Sequence, residues 1–208
     1  MARRVDSFRG LAQASRLRVL GVVLEEPGLA LADIAERTGL HENTLRDHVR
    51  VLEDQGFLDS ELEHRGTRGR PRRLYRVVSP ETSHPLAQRR IEIAKQHGDL
   101  LRRMVGDESA LDEESLHQLD ALYEHLDDVG LTPDLDEQEL TVTLVPCPFH
   151  ELVDENREVV CQVHEALIRN VLERAGGPIG LDRLLPYTTT HTCRVVLSHG
   201  RGCDGAPE

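Results

Sequence analysis

The chain has 208 residues, a net charge of −12, only 3% aromatic residues and no tryptophan. That length holds one or two small domains, with cores built from Leu, Val, Ile and Ala. No long apolar run is present, which argues against a transmembrane helix or a signal peptide and predicts a cytoplasmic protein with no membrane partner.

The charge is unevenly placed. Residues 1–80 carry 14 basic and 12 acidic residues, net +2, whereas residues 81–208 carry 11 and 25, net −14. The acidic part would repel a polyanion, so it is expected to face away from one and to have a separate task.

Arg3 to Gly10 is a basic lead-in. Leu11 to Leu24 reads as a helix with Leu17, Leu20 and Leu24 on one face, and Glu25-Glu26-Pro27-Gly28 stops it. Leu31, Ile34 and Ala35 mark a second, short helix that ends at Thr38-Gly39, where glycine accepts the left-handed turn. Leu40 seals the turn. A third helix follows, with Leu45, Val49 and Leu52 inward and Asn43, Arg46, Asp47 and Arg50 on its other face. Gly56 ends it.

Beyond Gly56 the pattern becomes that of a β-hairpin. Phe57-Leu58 and Leu74-Tyr75-Arg76-Val77 are strand-like. Between them, Arg65 to Arg73 is too rich in Gly and Arg to pack in a core. Arg65, Arg68, Arg70, Arg72 and Arg73 are expected to meet phosphates or a minor groove.

In order, this turn, helix and hairpin resemble the winged helix-turn-helix of ArsR-like bacterial repressors. Asn43-Thr44-Leu45-Arg46-Asp47-His48-Val49 stands at the recognition helix, and Gly66 to Arg73 stands at the wing. The resemblance covers roughly the first 80 residues. It implies double-stranded DNA as partner, with Asn43, Thr44, Arg46, Asp47 and Arg50 as groove-facing candidates. The sequence departs from the pattern at His41, where many relatives cap the helix with a small hydroxyl residue.

Ser79-Pro80 closes the first domain, residues 1–80. Residues 81–130 read as a helical linker and dimerisation region. Its first helix runs from Pro85 to Val105, with Leu86, Ile93, Leu100, Leu101 and Met104 as a broken apolar stripe. Its second runs from Glu113 to Val129, with Leu116, Leu119, Leu122 (with Tyr123), Leu126 and Val129. These helices either meet a partner copy or fold onto their own C-terminal domain. A homodimer on a palindromic operator is expected, because one winged helix reads few base pairs.

Residues 131–208 read as a small α+β domain. Gly130 and Pro133 break the preceding helix. Glu139 to Val145 alternates as a half-exposed strand, and Asn156 to Arg174 is a helix with Val160, His164, Leu167 and Val171 inward. Leu181 to Leu185 is a short strand or loop, Cys193 to Leu197 is a strand, and the tail from Gly200 has no pattern. The fold class is therefore mainly α with small β.

This region holds all four cysteines. Cys147 follows a strand, Cys161 and His164 are spaced for one helix face, Cys193 starts a late strand, and Cys203 lies in the tail. In a reducing compartment such thiols are metal ligands more often than disulfides. Three thiolates and an imidazole suit zinc, and thiolates also suit an iron–sulfur cluster. A thiol redox switch without metal stays open. So do His150, His191 and His199 as further ligands.

Val145-Pro-Cys-Pro-Phe149, Val160-Cys-Gln-Val-His164 and Cys193 together resemble the sensor domain of SufR-type repressors. That resemblance implies a labile iron–sulfur cluster, four-iron ahead of two-iron, and control of cluster-assembly genes. The ligands would be Cys147, Cys161 and Cys193, with His164 or Cys203 fourth. An enzyme using Cys161 and His164 is the remote alternative. Two positions on one helix face make a poor nucleophile–base pair, and no nucleophile motif accompanies them.

Overall fold

The computed structural model describes residues 14–63, 71–80, 84–106, 109–144, 150–189 and 192–200. The chain divides into two compact units, one of residues 1–87 and 149–163, the other of residues 88–148 and 164–208.

The first unit opens with α1 (Ala14–Glu25), β1 (Leu29–Ala30), α2 (Leu31–Thr38) and α3 (Glu42–Asp54). It continues with the hairpin strands β2 (Leu58–Glu63) and β3 (Arg72–Val77). Leu17, Leu20, Ile34, Leu45, Leu52 and Leu58 are all at most 1% exposed, so three helices and the hairpin base share one core. Burial of such side chains stabilises by roughly 1.5–3 kcal/mol each. On α1 the inward face is rotated from the expected one. Val19 and Val23 are buried, while Leu24 is only half-buried.

β1 is a strand the sequence pattern did not announce. Its two residues pair antiparallel with Tyr75 and Leu74 of β3, giving a three-stranded sheet in the order β1-β3-β2. Two residues carry no periodicity, and only the distant partner makes them a strand. The hairpin strands also run further than expected. Glu63 pairs with Arg72 and Leu62 with Arg73, so these two arginines lie in β3 and not in the hairpin tip.

The second unit is built on α4 (Pro85–Val105) and α5 (Glu113–Asp128), which match the expected helices closely. Then come β4 (Pro133–Asp136), β5 (Thr141–Leu144), α6 (His150–Ala175), β6 (Ile179–Thr189) and β7 (Thr192–His199). Both α4 and α6 run across the boundary between units. The strands form an antiparallel sheet in the order β4-β5-β7-β6, with Val142, Leu144, Val195 and Leu197 buried.

Packing of α4 differs from its apparent stripe. Its buried residues are Ile91, Ala94 and Gly98, and the first two meet Ala121 and Ala175. Small residues let two helix backbones approach, so they face inward despite their low hydrophobicity. Leu86, Ile93, Leu100, Leu101 and Met104 are exposed. Tyr123 on α5 also points outward, while Leu116, Leu119, Leu122, Leu126 and Val129 are buried as expected. Gln118 is buried and fully engaged. Its amide donates to the Leu172 and Ile179 carbonyls at 2.9 Å each, and its oxygen accepts from the Ile179 N–H at 2.6 Å.

Strand β4 begins at Pro133, although proline there is expected only to break the preceding helix. An edge strand tolerates the missing N–H. Strand β5 is shorter than expected, because residues 137–140 turn and Leu140 takes a positive φ of 48°.

Candidate nucleic-acid interface

The recognition helix is set by its two ends and by the face it buries. Gly39 ends α2 in the left-handed conformation, φ 68°, and its N–H donates to the Ala35 carbonyl at 2.9 Å. The Thr38 hydroxyl donates to the Ile34 carbonyl at 2.7 Å and tightens that last turn. His41 then caps α3. Its Nδ1 accepts from the Asn43 N–H at 3.3 Å, so an imidazole replaces the usual hydroxyl.

With Leu45, His48, Val49 and Leu52 buried, the opposite face of α3 must lie in solvent. Asn43, Thr44, Arg46, Asp47 and Arg50 are all exposed there. His48 is the exception to simple alternation of character. Burial pushes its imidazole pKa down, the nearby Arg16 charge adds to that, and Asp47 opposes it.

Alongside α3 runs a cleft of about 400 Å³ whose lining includes Glu42, Arg46, Leu62, Arg72, Arg73 and Tyr75. Three guanidinium groups thus border one surface between the recognition helix and the wing strands. Tyr75 is buried there, and burial, then the Glu53 charge, pushes its phenol pKa up.

Each of these arginines has a carboxylate neighbour. Arg46 donates to Glu42 Oε2 at 2.7 Å and to Asn43 Oδ1 at 2.8 Å. Arg72 donates to Asp33 Oδ2 at 2.9 Å, tying the wing strand to α2, and that oxygen also accepts the Ala30 N–H at 3.1 Å. Arg73 lies 3.7 Å from Glu53, and Arg50 lies 3.9 Å from Asp54. Arg76 pairs with Glu61 across the hairpin. Sequence reasoning missed this carboxylate set, although the i,i+4 spacing of Glu42–Arg46 and Arg50–Asp54 was a readable signal. Arg65, Arg68 and Arg70 fall outside the described residues.

The cysteine constellation is described in part. Cys147 and Cys203 fall outside the described residues, as does His191. Cys161 and His164 lie on α6, both half-buried. Cys193 is paired with Leu144 in the β5–β7 ladder, on the row that leads into the segment carrying Cys147. Burial pushes the His164 imidazole down to about 4, so it is neutral near pH 7. His199 is engaged with the Ser115 hydroxyl at 3.3 Å. Among the described residues, no three His, Cys, Asp or Glu side chains form a metal-binding group. No helix among them is long and apolar enough to cross a membrane.

A family model described as a helix-turn-helix domain matches residues 11–61, a span that holds α1, β1, α2, α3 and the first four residues of β2. The chain carries a helix-turn-helix domain, which supports a DNA-binding transcription regulator. No curated protein matches the chain at a significant level.

Proposed function

We propose that this chain is a homodimeric transcriptional repressor of the winged helix-turn-helix kind, with a C-terminal region, residues 131–208, that senses iron–sulfur status. In this reading α3 enters a major groove and the β2–β3 hairpin follows the backbone or a minor groove. One observation carries it. The solvent face of α3 presents Asn43, Thr44, Arg46, Asp47 and Arg50 beside a cleft bordered by Arg72 and Arg73.

A homodimer is supported by the outer face of α4. Leu86, Leu100 and Met104 are 46%, 51% and 75% exposed, and Leu86, Ile93 and Leu100 recur every seven residues. Such spacing suits a partner helix. The test of both claims is selection of duplexes from a random library by the full chain. Enrichment of an inverted repeat supports the reading, and no enriched sequence overturns it. Sedimentation then gives a dimer, reduced to monomer by Leu100→Glu.

The sensor reading takes Cys147, Cys161 and Cys193 as thiolate ligands, with His164 or Cys203 fourth, around an iron–sulfur cluster. Two features support it. The Leu144–Cys193 pair leaves Cys147 only three residues beyond Leu144, a span of at most about 11 Å. Cys161 and His164 stand three positions apart on α6, the i,i+3 spacing of one helix face. A cluster would supply an oxygen- and redox-labile centre. Its presence would then change operator affinity, and by linkage operator DNA would change cluster retention by the same factor.

Iron, sulfide and zinc per chain, measured on protein isolated without oxygen, decide between cluster, zinc and bare thiols. Cys147→Ser, Cys161→Ser and Cys193→Ser should each lose the iron and weaken operator binding alike. Cys203→Ser should be milder if His164 is the fourth ligand. Identical operator affinity for iron-loaded, iron-free and variant proteins removes the sensor role and leaves the DNA reading standing.

A further inference from the structure

Among the carboxylates that accompany the arginines of this surface, Glu42 is singular in position. It is the first residue of α3, in the turn that leads the recognition helix. Arg46 donates to Glu42 and to Asn43 at once, at 2.7 and 2.8 Å, so the guanidinium is held by two acceptors from the same turn. Among the described residues, these two bonds use two of its five N–H donors, and three remain for something else. An exposed i,i+4 pair stabilises a helix little, so stability alone gives this arrangement a minor role.

Its electrostatic consequence is larger. Affinity for random DNA comes from cations that neutralise phosphates and release counterions. The Glu42–Arg46 pair has no net charge, and a phosphate approaching Arg46 also meets the Glu42 carboxylate. Base edges pose no such conflict. Guanine O6 and N7 are neutral acceptors that suit a guanidinium, and the cytosine amino group is a donor that suits a carboxylate.

We propose that Glu42 is a specificity-determining residue. It masks Arg46 against phosphate and lets the pair read one G·C base pair, Arg46 on guanine and Glu42 on cytosine. This rests on the DNA-binding reading and deepens it.

The experiment is a salt titration of the full chain and of Glu42→Gln, on random-sequence duplex and on duplex selected by the wild type. On random duplex, Glu42→Gln should bind more tightly, and the slope of log K against log salt should steepen by about 0.9, one phosphate contact. The ratio of selected to random affinity should fall, and repeat selection with the variant should lose a G·C preference at one position. Glu36→Gln removes the same charge from an exposed residue of α2 and should leave the slope unchanged. Equal slopes for wild type and Glu42→Gln, or equal steepening by Glu36→Gln, overturn the masking role and leave DNA binding intact. A wild-type chain that binds neither duplex overturns both.

Discussion

The two units differ in their least exposed ion pairs, although the second also carries exposed ones, Arg169–Glu165 and Arg183–Asp182. In the first, the pairs lie in water. The side chains of Arg46 and Glu42 are 56% and 50% exposed, and those of Arg50 and Asp54 are 82% and 72% exposed. In the second, Arg102 and Asp120 are only 19% and 16% exposed and join α4 to α5. Arg102 donates to both Asp120 oxygens, at 2.9 and 2.8 Å, and to Asp99 at 2.9 Å. Those bonds, Asp120 first, hold its guanidinium pKa well above the ordinary value. Asp99 is pulled down by Arg102 and by His117, whose ring nitrogen lies 3.0 Å away.

Water screens exposed pairs, so they hold little stability and yield to another anion. Desolvated pairs do not yield, because removing one partner strands the other's charge. The first unit therefore keeps arginines such as Arg50, 3.9 Å from Asp54, that can be transferred to phosphate, whereas Arg46 is held by both Glu42 and Asn43. The second commits Arg90 and Arg102 to its own fold, and its residues 88–148 and 164–208 hold 10 basic and 20 acidic residues, net −10.

The largest effect expected from this contrast is in stability. Arg102→Ala should cost on the order of 3 kcal/mol in urea denaturation. Arg50→Ala should cost less than about 0.5 kcal/mol. Equal costs would erase the distinction between the units.

Gly98→Ala tests the same α4–α5 contact from the other side. A Cβ there would sit 2.1 Å from the Asp120 carboxylate, so the staple must shift. A loss of about 1–3 kcal/mol is expected, typical of overpacking. No loss would mean that the helices do not approach as described.

A smaller effect is expected with pH. Burial first, then the Arg90 and His164 charges, push the His125 imidazole down to about 3. The unfolded imidazole takes up a proton near pH 6.5, and the folded one refuses it until about pH 3. Its contribution is complete above about pH 6.5 and is lost progressively as pH falls from there toward 3. At about pH 5.5 the loss should be about 1 kcal/mol. Thermal melts of wild type and His125→Gln should converge as pH falls, and parallel decline would remove His125 as the cause.

The smallest effect is in the salt dependence of DNA binding. Arg50→Ala should flatten the salt slope by about 0.9, and Arg68→Ala with Arg70→Ala by about twice that. Unchanged slopes would take these side chains out of the interface.

What the sequence made legible was local. Leu45, Val49 and Leu52 report the buried face of α3 because helix period is a property of neighbouring residues. Gly39 reports the turn because its backbone requirement is its own. What stayed hidden was non-local. β1 exists through Tyr75 and Leu74, and Cys193 meets Leu144 only through sheet register. The apolar stripe of α4 was visible, but period alone did not say that Ile91, Ala94 and Gly98 would be the side that packs. Strand β6 runs from Ile179 to Thr189 through register shifts near Arg183 and Leu185, which break the alternation that would have revealed its length. For the interface, the basic residues were legible by composition, whereas Asp33 and Glu53 meet Arg72 and Arg73 only through tertiary packing.

The central claim is that the exposed face of α3 reads DNA sequence. Its most direct test compares wild type, Asn43→Ala and Arg46→Ala as full chains, on selected and random duplex at one salt concentration. Each substitution should cost on the order of 1–3 kcal/mol on the selected duplex and little on the random one. Equal losses on both duplexes, or no loss on either, would contradict the claim.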